Sequence, residues 1–154
     1  MKTEPDVFSW DDLERSPHRT TPWDGVRNYQ ARNFMRDEMQ VGDGVLFYHS
    51  RREPMAIVGV ARVARAAYAD PSQFDATSKV HDSTSTPDAP RWFCVDVQAV
   101  RRLETPLPLG ALRGVPALAD MALLRKGQRL SVQPVRPEEW EAVLKLAGLQ
   151  AREV

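Results

Sequence analysis

The sequence has one cysteine, Cys94, and no excess of charge: 21 lysines and arginines stand against 21 aspartates and glutamates in 154 residues. A single thiol cannot close an intrachain disulfide, and no second ligand stands at metal-site spacing from it. Inside the apolar run 92–97 it reads as a buried strand residue in a reducing compartment. Zero net charge excludes a protein that coats nucleic acid by charge alone, because such binders carry a basic excess. It leaves room for a site that reads one nucleotide through a local basic patch. No apolar run approaches the ~18 residues of a membrane-spanning helix, and "MKTEPDVFSW" lacks the apolar centre of a signal peptide. The chain is therefore expected to be soluble and cytoplasmic, with no membrane partner. Neither GxGxxG nor GxxxxGK[ST] occurs, which weighs against a dinucleotide or triphosphate cofactor, and no cofactor is expected. Internal repeats and low-complexity blocks are absent as well.

What is present is an ordinary globular mixture, 42% hydrophobic and 27% charged, on a chain long enough to bury a core. Ser9 and Asp12 form a capping-box pattern for a short helix over roughly 9–15. Asn28 can cap a second helix, in which Ala31, Phe34, Met35 and Met39 recur at helical spacing. "VLFYHS" (45–50), "MAIVGVARVARA" (55–66) and Trp92 to Leu103 read as strands. "TSKVHDSTSTPDAPR" (77–91) reads as a long exposed loop. "PLPLGALRG" and "ALADMALLRKG" suggest short helical turns, and "QRLSVQPV" a final strand. "RPEEWEAVLKLAG" is the clearest helix, with Pro137 near its start and two glutamates against the N-terminal dipole. Helices mixed with mostly adjacent strands favour an α+β fold on a largely antiparallel, curved sheet. One domain is expected over 1–148, followed by a tail at 149–154.

The usual catalytic groups give little. His18, His49 and His81 form no metal-binding pattern. A nucleophilic Ser50 activated by His49 is disfavoured, because neighbours on a strand face opposite ways. The carboxylate pairs Asp11–Asp12, Asp37–Glu38 and Glu138–Glu139 read as solvated helix faces and caps. Aromatic residues with polar neighbours carry more signal: Trp23, Tyr29, Tyr48 and Tyr68, accompanied by Arg27, Asn28, Ser50, Arg51 and Arg52. Flat rings can sandwich a base, and an asparagine offers both donor and acceptor to a base edge. Each such ring taken alone is more often core than cage, and Trp10, Trp92 and Trp140 are assigned to the core. "KTEP" (2–5) reads as a surface turn.

Taken in order and spacing, "KTEPDVFSWDDL", "WDGVRNYQARNFMR", "VGDGVLFYHS", "IVGVARV", "AYADPSQFD" and "MALLRKGQRLSVQPVRPEEW" resemble the EVE domain, a small family related to the PUA and YTH folds. The resemblance covers Lys2 to about Leu146. It implies a PUA-like pseudo-barrel: a curved mixed, mostly antiparallel sheet with surrounding helices. It also implies a non-catalytic module that recognises a modified base, with modified cytosine the leading candidate, in single-stranded or flipped-out DNA or RNA.

Carried onto this sequence, the resemblance gives Trp23 or Tyr29 as the ring that stacks on the base and Asn28 as the reader of its edge. Ser50 with Tyr48 would close the floor, and Lys2 and Glu4 would stand at the mouth. Arg27, Arg51 and Arg52 would meet phosphate, with Tyr68 or Phe74 supplying a second face. The chain departs from the family in beginning with Met1 directly before the lysine, where an apolar strand is usual. A shortened or missing first strand would leave a sheet edge unpaired. The alternative reading is a nucleoside-like small-molecule binder or enzyme using the same pocket.

Overall fold

A computed structural model describes residues 1–154. Its centre is a five-stranded sheet that does not close on itself, built from β1 (Lys2–Thr3), β2 (Thr20–Pro22), β3 (Gly44–His49), β4 (Ala56–Ala69) and β5 (Phe93–Pro108). The order is β1-β3-β4-β5-β2; β1 runs parallel to β3 and every other pairing is antiparallel. Register shifts recur along β4 and β5, at Ile57/Gly59, Val60/Ala61, Val63/Arg65 and Arg65/Tyr68. Each extra residue bends the strand and adds twist, so the two longest strands curl rather than lie flat. The expected α+β class and curved, mostly antiparallel sheet are what the chain adopts.

Both faces of the sheet are buried. Val45 and Phe47 of β3 point into one core with Trp10, Leu13, Trp23, Met35, Val95 and Val97. Leu46 and Tyr48 point into another with Ile57, Val60, Leu103, Val143 and Leu144. That is why "VLFY" reads as a continuous apolar run and not as an alternation. The first core is covered by α1 (Trp10–Arg15) and α2 (Tyr29–Asn33), the second by α3 (Leu109–Arg113) and α4 (Pro137–Leu146). Ser9 and Asp12 cap α1 reciprocally, and Asn28 Oδ1 accepts the Ala31 N–H at 3.0 Å to start α2. At Phe34 the second helix widens into a π-turn, closed by Met39 N–H donating to the Phe34 carbonyl. At Gly59 any Cβ would overlap the Trp10 ring, so helix α1 can lie against β4 only over a glycine. Cys94 is a buried strand residue, its thiol pushed up to about 12 by burial. No helix is long and apolar enough to cross a membrane.

Two expectations change and two gain detail. "QRLSVQPV" forms no strand; it is an irregular segment that still buries Val132 completely. It covers the outer edge of β1, where Lys2 N–H donates to the Ser131 carbonyl at 2.8 Å, so that edge is not left open. The loop 77–91 is mostly exposed, as expected, and is pinned near its end: buried Gln73 accepts from Ser85 Oγ, Arg91 N–H and Trp92 N–H. Glu139 is 2% exposed, not solvated, and its two oxygens take the Arg136 Nε–H and backbone N–H. The tail 149–154 folds back, with Leu149 and Val154 packed on the second core.

Candidate functional site

The stretch Trp23–Asn28 precedes α2 and has no regular structure of its own. It is held from a distance. Asp70, fully buried just before the turn Pro71–Phe74, accepts Gly25 N–H at 2.8 Å and Arg27 Nη1 at 3.0 Å on one oxygen. Ser72 N–H and Oγ–H, at 2.8 and 2.5 Å, supply the other oxygen. Burial alone would raise the Asp70 pKa; the bonds from Ser72, Gly25 and Arg27 overcome it and hold the carboxyl below its usual value. Gly25 takes φ +76° there, a region where a side chain is strained.

The segment forms one wall of a cleft of about 680 Å³, within the usual range for ligand sites. Lys2, Thr3 and Glu4 line it too, together with Arg129, Leu130 and Ser131. Trp23 is 8% exposed and packs edge-on against Phe47 at 5.7 Å, so most of its ring belongs to the core beneath the cleft. Phe8, Val26 and Leu130 add apolar lining. Asn28 also lines it; its Oδ1 is spent on the helix cap, which leaves the amide N–H₂ as the group able to face a ligand. Asp24 lines it as well and has no ion pair. Burial, then repulsion from Asp70, raises its pKa. Lys2 donates from Nζ to the Gln128 carbonyl at 3.1 Å, and burial lowers its pKa.

Of the expected site residues, Lys2, Glu4, Trp23, Arg27 and Asn28 meet at this cleft. The others do not. Tyr48 is in the core on the opposite face of the sheet, because its neighbours Phe47 and His49 take the cleft side of β3. Ser50 continues the β1–β3 ladder, donating its N–H to the Thr3 carbonyl at 2.9 Å. Arg51 pairs with Glu4 at 3.1 Å and Arg52 with Asp6 at 2.7 Å, both on the surface. Tyr68 donates to Asp96 Oδ1 at 2.6 Å under the Arg65 guanidinium. Arg27 is committed to Asp70, Ser72 Oγ and the Val80 and Val26 carbonyls, so it is a brace before it is a phosphate ligand. Tyr29 turns outward and stacks on Trp92. His49 accepts the Trp10 backbone N–H on Nε2 at 3.1 Å.

Asp24 and Arg129 were missed by sequence reasoning. Asp24 had a signal, an acid immediately before a glycine in an irregular segment, whereas Arg129 was hidden in a segment read as a strand.

The chain matches the EVE domain family model over residues 1–146. It belongs to the EVE domain family. Among curated relatives, thymocyte nuclear protein 1 of Homo sapiens is 41% identical, covering 95% of this chain and 72% of that protein. The Danio rerio protein of the same name is 43% identical, with 95% and 70% covered. Among solved structures, the DUF55 domain of human thymocyte nuclear protein 1 superposes with a TM-score of 0.90 at 40% identity, covering 97% of this chain and 98% of that one. Human THYN1 protein in complex with DNA containing 5-methylcytosine gives 0.88 at 40% identity, covering 97% and 96%. A Pseudomonas putida protein gives 0.89 at 46% identity, covering 96% and 97%. The nucleic-acid-binding character expected of this EVE domain thus has a solved counterpart in a relative.

Proposed function

We propose that the cleft between Trp23–Asn28 and 129–131 receives a single modified cytosine of a nucleic-acid strand, and that the protein recognises it without changing it. The observation that carries this reading is that Asp24 and Asn28 both line the cleft. The Asp24 carboxylate can only accept, and the free half of the Asn28 amide can only donate. An acceptor next to a donor complements a base edge with an exocyclic amino group beside a bare ring nitrogen. Cytosine and adenine present that edge at the exocyclic amino group; thymine and uracil can meet the same pair only through N3–H and O2, a register shifted by one position along the edge. The complex of a relative with 5-methylcytosine-containing DNA favours cytosine.

The methyl group is a smaller matter. Phe8, Val26 and Leu130 offer it apolar surface, and burying one methyl contributes about 0.8 kcal/mol. That is roughly a fourfold preference over unmodified cytosine, so the hydrogen-bonding edge, not the methyl, is the main selector.

The test is a titration of short single-stranded DNAs that differ only in a central 5-methylcytosine, cytosine or thymine. Wild type is expected to bind in that order. Asp24→Asn turns the acceptor into a mixed group and should reduce or invert the preference for cytosine over thymine. Asn28→Asp keeps a helix cap but deletes the donor, so it should lose discrimination while its thermal stability is retained. Undiminished discrimination in both variants would overturn the assignment.

A further inference from the structure

Outside the cleft, the first turn of α2 carries a stack of aromatic rings and guanidinium groups that the base-reading site does not use. Tyr29 lies on Trp92 with ring centroids 4.7 Å apart and planes 19° apart. The Arg32 guanidinium is 4.6 Å from the Tyr29 centroid and 5.9 Å from that of Trp92. These three distances form a near-right triangle, so Arg32 sits beside the two-ring stack and not squarely on the outer face of Tyr29. The tyrosine is 50% exposed although one of its faces lies on Trp92, so much of its ring meets solvent. Trp92 is fixed from below: its indole N–H donates at 2.8 Å to Asp82, a half-buried carboxyl whose pKa Thr84 and this bond hold down to about 2.

The charges around the stack differ. Arg27 is paired with Asp70, and Arg36 with Asp37 at 2.7 Å. Arg32 has no carboxylate partner; it donates to Asn33 Oδ1 and the Arg91 carbonyl, with N–H groups left over. An open aromatic face with an unneutralised guanidinium at its side suits a base and the phosphate attached to it. The stack also begins where the cleft ends. Asn28 lines the cleft and Tyr29 follows it in the chain, while Arg27 lines the cleft and lies 5.3 Å from the Trp92 centroid.

We propose that the outer face of Tyr29 is a second nucleotide site, on which a base neighbouring the one in the cleft stacks as a third layer on Tyr29 and Trp92, with Arg32 holding its phosphate. This site rests on the reading of the cleft as a base pocket, which supplies the strand it would grip. It accounts for how a chain of zero net charge binds a strand: the grip is local stacking and one guanidinium instead of a broad basic field.

Two probes separate the sites: free 5-methyl-2′-deoxycytidine, which can fill only the cleft, and a single-stranded DNA pentamer with central 5-methylcytosine. Tyr29→Leu should weaken pentamer binding by roughly five- to a hundredfold and leave the nucleoside affinity unchanged, while Tyr29→Phe, which keeps the ring, should bind both as wild type does. Arg32→Gln should lower the salt dependence of pentamer binding by a slope of about 0.7, one single-strand phosphate. Pentamer affinity untouched by Tyr29→Leu, or an equal loss for both probes, overturns the second site; so does a wild type that binds no pentamer. If Asp24→Asn abolishes discrimination while Tyr29→Leu changes nothing, the cleft stands and the stack does not. If Tyr29→Leu weakens a pentamer that wild type binds without base preference, the stack stands and the cleft reading falls.

Discussion

The cleft wall is only as firm as one buried carboxylate, and Asp70→Asn tests that directly. The substitution keeps size and shape but removes the charge and replaces one acceptor oxygen with an N–H₂ group. Four donors converge on Asp70: Gly25 N–H and Arg27 Nη1 on one oxygen, Ser72 N–H and Oγ–H on the other. An asparagine can serve one pair and must turn its amide hydrogens toward the other. If the oxygen stays with Ser72, the Gly25 N–H is orphaned, at about 1–3 kcal/mol. The Arg27 guanidinium then also loses its only carboxylate partner. Removing one member of a buried pair costs about 3–5 kcal/mol, and that figure is the expected total. For a chain of this size it corresponds to a melting temperature lower by roughly 6–20 °C.

The pH dependence has a definite sign. The folded carboxyl titrates below its usual value of 3.8. Its contribution is therefore complete above that value and is lost as pH falls through the lower, folded one. The gap in stability between wild type and Asp70→Asn should be widest near neutrality and should close in acid. Denaturant unfolding at neutral and acid pH measures the gap, and amide exchange locates it. The Gly25 amide should exchange much faster in the variant, with β4 and β5 amides changed only by the global loss. A cost below about 1 kcal/mol with Gly25 still protected would refute the idea that Asp70 holds the wall.

Two further predictions concern the frame. Gly59→Ala places a Cβ inside the Trp10 ring, which is itself backed edge-on by Phe47 at 5.3 Å; a cost of about 1–3 kcal/mol in denaturant unfolding is expected, and a variant as stable as wild type would contradict it. His49 has its pKa lowered from 6.5, by burial first, and its Nε2 must stay bare to accept the Trp10 N–H. Its stabilisation is full above pH 6.5 and fades as pH falls from there through the folded value, so His49→Gln should flatten that limb of the stability profile; an unchanged slope would show that His49 is not the group responsible.

Local signals in the sequence carried the helix starts. Ser9 with Asp12, and Asn28 with Ala31, act over three residues, so spacing alone identifies them. The long strands were legible for a related reason, since burial on both sheet faces writes a continuous apolar run. What alternation cannot show is pairing. "QRLSVQPV" has the buried Val132 that a strand pattern implies, yet it touches β1 through a single backbone bond at Ser131. Conversely β2 is three residues, Thr20–Pro22, without a pattern, and exists because Val97 and its neighbours on β5 offer it an edge.

The site divides along the same line. Asn28 was read as both a cap and a base-edge group offering donor and acceptor; the cap formed, and it leaves only the donor free. Arg27 was read as a phosphate ligand from the family resemblance; its partner Asp70, 43 residues away, could not be seen from the chain around it. Tyr48 illustrates the opposite limit. Strand parity correctly sets it against His49, but which side of β3 carries the cleft is decided by where α1 and α2 pack. The aromatic count was therefore a poor guide to the pocket, and unsatisfied polar chemistry a better one. Asp24 lines the cleft with no ion-pair partner, and Arg32 keeps N–H groups free beside an open ring. Those two are where a nucleotide has something to offer that the protein itself does not supply.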